Sequence, residues 1–76
     1  MDNLKGRNPA TQQAARWFAN DHLPPHLQAV SKPAHDLAQQ MIDTLPDDPE
    51  LVAGLRKLRE AKDCFVLHAA YTHQEG

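Results

Sequence analysis

Seventy-six residues and 8.5 kDa allow one domain at most, and the single cysteine, Cys64, excludes an internal disulfide. A core this small rarely supplies more than ~3–5 kcal/mol, so self-association is the supplement left once disulfides are ruled out. A net charge of −2 with histidines neutral excludes a global field for duplex DNA or anionic membranes, and no apolar run nears the length of a membrane span. The polar start from Met1 to Asn8 carries no secretion signal, and a soluble, cytoplasmic protein is expected.

Few β-branched residues and no strict alternation predict an all-α chain. The first helix opens at Asn8-Pro9, a capping residue followed by proline at the first helical position, and runs to about Ala19. Asn20 and Asp21 break it, and His22-Leu23-Pro24-Pro25 reads as an extended connector. From Pro25 to Leu45, the residues Leu27, Val30, Ala34, Leu37, Met41 and Leu45 recur at steps of three and four. The stripe keeps its phase across Pro33, which predicts one helix kinked near that proline; two helices meeting at Ser31 are the alternative.

Leu45-Pro46-Asp47-Asp48-Pro49 forms the next turn, and Asp48 before Pro49 repeats the cap-then-proline signature. The third helix, over 49–71, carries Leu51, Leu55, Leu58, Ala61, Phe65 and Ala69 on one face, widened by Val52, Val66 and Leu67. Gly54 inside it points to close approach of another backbone, and the tail from Tyr71 to Gly76 is expected to fray. The expected architecture is a short N-terminal helix followed by a long antiparallel helical hairpin, assembling as a homo-oligomer.

Catalytic signatures are missing: there is no His-Glu-x-x-His, no glycine-rich phosphate loop and no nucleophile elbow, and no enzyme activity is expected. His22 and His26 have ligand spacing only on a helix, which Pro24 and Pro25 interrupt, so neither a metal nor another cofactor is expected. Cys64, with Lys62 and His68 in helical reach, lacks an orienting third group and reads as a buried structural thiol. Arg16-Trp17-Phe18 gathers a cation with two of only four aromatic residues. These rings either anchor the first helix or offer a stacking surface, with Ser31, Lys32 and the cluster Arg56, Lys57, Arg59 and Lys62 supplying phosphate contacts. Lys32 serves equally well as a solvated surface lysine, and Arg56 with Glu60 as an exposed i,i+4 pair.

Taken together, the stretch His22 to Pro33, the helix Asp36-Leu37-Ala38, the turn Leu45 to Glu50 and the run Leu55 to Cys64 resemble the small helical-hairpin proteins of phages. That family includes the anti-CBASS sponges, which block bacterial immune signalling by sequestering cyclic oligonucleotide messengers. The resemblance spans roughly residues 17 to 70. It implies a non-enzymatic homohexamer in the bacterial host cytoplasm, during phage infection or from a prophage, holding cyclic dinucleotides between protomers. Some members also hold cyclic trinucleotides at separate pockets. By that resemblance Trp17 or Phe18 stacks on a base and Ser31 or Lys32 meets a phosphate; His35, Lys62 and His68 are further candidate ligand contacts. Members often carry an arginine for the trinucleotide pocket near the end of the last helix; here Leu67 and His68 stand there, a departure that bears on trinucleotide binding. A helical module docking on a host or virion protein through the wide apolar face of the third helix is the competing expectation, and polynucleotide binding is disfavoured by the acidic total.

Overall fold

The computed structural model describes residues 4–75, with side chains described as far as Thr72. It is all-helical, without a strand among the described residues, and measures 44 × 20 × 17 Å. Helix α1 spans Pro9–Ala15, a 3-10 turn follows over Arg16–Phe18, α2 spans Pro25–Thr44 and α3 spans Pro49–Glu75. The helix starts follow the capping chemistry. Asn8 Oδ1 accepts from the Ala10 amide at 2.8 Å with Pro9 next in the chain, and Asp48 Oδ2 accepts from the Glu50 amide at 2.8 Å with Pro49 next. Pro24 has no capping side chain; there Gln28 Nε2 donates to the Leu23 carbonyl at 2.6 Å and ties the connector to the first turn of α2.

Helix α2 is continuous through Pro33, so the alternative of two helices meeting at Ser31 does not hold. The first helix is shorter than expected, because it tightens into the 3-10 turn after Ala15, and the last one continues past Tyr71 to Glu75 instead of fraying there. Gly76 lies outside the described residues.

Ala14, Ala15 and Phe18 from the N-terminal segment meet Ala38 and Ile42 of α2 and Leu51 and Leu55 of α3 in the core. The buried face of α2 is therefore rotated by about one residue from the expected stripe: Ser31, Ala38 and Ile42 point inward, while Leu37 and Leu45 are exposed. Two neighbours explain the rotation. Helix α2 packs against both α3 and the N-terminal segment, and small residues at 31 and 38 let three elements converge where a leucine stripe alone serves one partner.

The displaced leucines Leu37, Met41 and Leu45 line a groove with Leu51, Gly54 and Leu58 of α3. Gly54 faces open space, with no atom within 4 Å of where a Cβ would sit, so the expected close backbone approach is not made within the chain. On α3, Leu51 and Leu55 are buried as the stripe requires, but Phe65 is 64% exposed, Leu67 53% and Tyr71 58%. Cys64 is exposed as well, which corrects its reading as a buried thiol: position 64 falls on the side of α3 turned away from the core.

Candidate functional site

The two aromatics lie in the 3-10 turn and take different roles. At three residues per turn, successive side chains diverge by ~120°, so Trp17 and Phe18 cannot share a face. Phe18 is fully buried in the core, which settles it as the anchor of the N-terminal segment and removes it as a base-stacking residue. Trp17 is half-buried and turned toward α3. There the Arg59 guanidinium lies 5.2 Å from the indole centroid and that of Arg56 5.9 Å, both within cation–π range. Lys62 Nζ donates to the Trp17 carbonyl at 2.8 Å and lies 5.9 Å from the Phe18 ring centroid.

Arg56, Arg59 and Lys62 follow one another at steps of three, which places them along one strip of α3. Arg56 has no carboxylate within ion-pair distance among the described residues, in place of the expected pairing with Glu60. Arg59 reaches Asp63 only at 3.8 Å, and Lys62 pairs with the same carboxylate at 2.9 Å. The guanidiniums thus carry their charge to the surface while the indole holds them in place.

Lys32 and His35 occupy a different surface. With Asn20, Pro25 and Gln28 they line a recess of about 420 Å³, and both are engaged by Asp36: Lys32 Nζ to Oδ2 at 2.8 Å, His35 Nδ1 to Oδ1 at 3.2 Å. The bond from Lys32, with that from His35 behind it, holds the Asp36 carboxyl below its ordinary value. Ser31, one residue away, does not join them. It is 1% exposed and its Oγ has no hydrogen-bond partner among the described residues, so it belongs to the α2 interior and not to a phosphate site. His68 is exposed two turns beyond Lys62 and joins neither group. Of the residues singled out in the sequence, Trp17 and Lys62 come together on one surface and Lys32 and His35 on another.

Sequence reasoning placed Arg56 and Arg59 in the basic cluster but did not pair them with Trp17, although their three-residue spacing to Lys62 carried the signal. It missed one group altogether, a clamp at the start of α1. Arg7 donates through Nε to Asp47 Oδ1 at 2.9 Å, through Nη1 to the Ile42 carbonyl at 2.6 Å and through Nη2 to the Leu45 carbonyl at 2.8 Å. Asp47 also accepts from the Asn8 amide and the Thr11 hydroxyl, each at 2.8 Å. The Asn8 amide foremost, then Thr11 and Arg7, lower the Asp47 carboxyl below its ordinary value.

Between α1 and the start of α3 lies a cleft of about 470 Å³, with Ala10, Pro49, Val52 and Ala53 as its apolar part, Asp48 on its wall and Arg56 lining it as well. Among the described residues no three histidine, cysteine, aspartate or glutamate side chains converge to hold a metal ion, and no helix is long and apolar enough to cross a membrane. Comparison with known protein families, with curated proteins and with solved structures finds no match to this chain.

Proposed function

We propose that this chain binds and sequesters cyclic dinucleotides without cleaving them, as the phage anti-CBASS sponges that its sequence resembles do. The observation that carries this reading is the platform at Trp17: one indole, two guanidiniums within 6 Å of its centroid, and the Lys62 ammonium on its carbonyl. Aromatic faces stack on nucleobases and guanidiniums fork onto phosphates, so this combination suits a compact, doubly charged ligand. Because Lys32 and His35 line a separate recess, the ligand sits between copies, one contributing Trp17 and Lys62 and its neighbour Lys32 and His35.

In this reading α2 and α3 are the two arms of an antiparallel hairpin, and six copies assemble in the cytoplasm of an infected or lysogenic bacterium. The exposed Phe65, Leu67 and Tyr71 and the groove at Leu37, Leu45 and Gly54 supply apolar area for that assembly. Leu67 and His68, standing where sponges of that family often carry a trinucleotide-binding arginine, make cyclic trinucleotides the weaker ligands.

Native mass spectrometry of the purified protein with a panel of cyclic di- and trinucleotides tests the reading, since mass gives protomer number and ligand stoichiometry together. Intact cyclic dinucleotides retained by a defined oligomer support it; an oligomer that takes up none of the panel overturns it. The same exposed apolar residues of α3 favour a second reading, a module that docks on another protein. A monomer that keeps this face open and captures a partner protein through it distinguishes that outcome.

A further inference from the structure

The cleft between α1 and α3 is polarised along its length. Asp48 stands at the first turn of α3 and Arg56 eight residues further on, about 12 Å along the helix axis at 1.5 Å per residue. Between them Ala10, Val52 and Ala53 leave a space free of large side chains, and the cleft volume of about 470 Å³ falls within the range of small-molecule sites. The acidic wall is largely occupied: Asp47 accepts from Arg7, Asn8 and Thr11, and Asp48 accepts from the Glu50 amide. The basic end is not. Arg56 has no carboxylate partner among the described residues, while Arg59, one helical turn beyond it over the same indole, lies outside the cleft lining and reaches Asp63 at 3.8 Å.

We infer that this cleft binds a nucleoside monophosphate, with its phosphate on Arg56 and its base over Val52 and Ala53. The polarity sets the orientation. A dianionic phosphate is repelled from the Asp48 end and drawn to the Arg56 guanidinium, whose N–H fork matches phosphate oxygens. The base then lies on the small apolar residues with its exocyclic amine toward the remaining acceptor capacity of Asp48, while the Asn8 side chain offers a further polar contact on the same wall. Trp17 acts here as a positioning residue that holds both guanidiniums. The inference shares Arg56 and Trp17 with the platform of the proposed function but stands on the cleft itself, which has no lining residue in common with the recess of Lys32 and His35.

Calorimetric titration of the full chain with adenosine 5′-monophosphate, adenosine and inorganic phosphate tests it, alongside the fluorescence of Trp17, the single tryptophan. The monophosphate is expected to bind at least tenfold more tightly than either fragment and to shift the Trp17 emission. Arg56→Ala removes at least tenfold of that affinity, and Arg56→Lys restores only part of it, since charge without the fork remains. Ala53→Leu, a helix-compatible change that fills the cleft, abolishes the advantage over inorganic phosphate and leaves inorganic phosphate binding itself unchanged. Equal affinity for the monophosphate and inorganic phosphate overturns the inference, as does full affinity in either the Arg56→Ala or the Ala53→Leu protein. Circular dichroism of each variant confirms that it is folded, and Arg56→Gln serves in place of Arg56→Ala if that protein is not.

Discussion

Arg7 and Asp47, forty residues apart in sequence, form the clamp that joins the start of α1 to the turn between α2 and α3. The guanidinium also takes two carbonyls at the C-terminal end of α2, groups that helix geometry leaves without intrahelical partners. A cation there is favoured by the helix dipole as well. Hydrogen bonds involving a charged group contribute about 1.5–3 kcal/mol each at most, and partial exposure brings the Arg7→Ala cost to roughly 1.5–3 kcal/mol in total. Urea unfolding should show this loss, and Arg7→Lys should recover little of it, because an ammonium cannot reproduce the fork that reaches Nε and both Nη partners.

The same clamp makes stability depend on acid. The folded-state carboxyl of Asp47 titrates below its ordinary value of 3.8, held there by the Asn8 amide, Thr11 and Arg7. A depressed carboxylate contributes stability that is fully present above its unfolded value and is lost as pH falls through the folded one. Melting temperatures followed from pH 6 downward should therefore stay level to about pH 4.5 and then drop. In Asp47→Asn the starting value is lower and the acid-dependent drop shallower. Parallel acid profiles for the two proteins would refute the assignment.

Much of the helical layout was legible in the sequence because it rests on local chemistry. Asn8-Pro9 and Asp48-Pro49 announce helix starts whatever surrounds them, and the continuous phase from Leu27 to Leu45 announces a helix across Pro33. What was not legible depends on which neighbours a helix has. The expected stripe contains Leu37 and Leu45, yet the buried face holds Ser31 and Ala38, because α2 faces two elements at once and small residues fit that junction. The site followed the same rule. Trp17 and Phe18 are adjacent in sequence and point apart on any helix, but only the packing of the N-terminal segment decides that Phe18 becomes the core anchor and Trp17 the platform. Arg7 gave no sequence signal for its role, since a lone arginine before a helix does not reveal that its partners lie some forty residues away.

That separation predicts opposite phenotypes for the two aromatics. Truncating a buried phenylalanine costs ~3–5 kcal/mol, which consumes most of the stability a domain this small possesses, so Phe18→Ala should be largely unfolded at 25 °C. Trp17→Ala leaves the fully buried core side chains in place and loses the partial packing of the indole against them together with cation–π contacts of about 0.5–1 kcal/mol each. It should remain folded by circular dichroism while its affinity for cyclic dinucleotides falls at least tenfold. A folded Trp17→Ala protein with undiminished affinity would remove Trp17 from the site.

Ser31 predicts a substitution that helps. Its Oγ is buried without a hydrogen-bond partner, and leaving a polar group so placed costs about 1–3 kcal/mol. Ser31→Ala deletes the hydroxyl, keeps nearly the same volume and improves helix propensity, so the melting temperature should rise. Because the side chain is shut inside, ligand affinity should be unchanged. A loss of affinity in a fully stable Ser31→Ala protein would show that Ser31 reaches the ligand after all.

Lys32 is already engaged before any ligand arrives. Asp36 holds it at 2.8 Å in an exposed i,i+4 pair, and a phosphate approaching the recess must compete with that carboxylate. Surface pairs of this kind are weak, so the competition lowers ligand affinity by about two- to threefold and no more. Acid does not relieve it in the physiological range, because Lys32, and His35 after it, keep the Asp36 carboxyl below 3.8 and therefore ionised from pH 8 down to pH 5. Removing the charge by substitution does. Asp36→Asn frees Lys32 and takes away a negative charge from the recess, so cyclic dinucleotide affinity should rise by about two- to threefold at low salt. The gain should shrink as ionic strength increases, since it is a contest between exposed charges. If instead Asp36→Asn weakens binding, the carboxylate is orienting Lys32 and His35 toward the ligand and not competing for them, and titration calorimetry of the two proteins at two salt concentrations separates these outcomes.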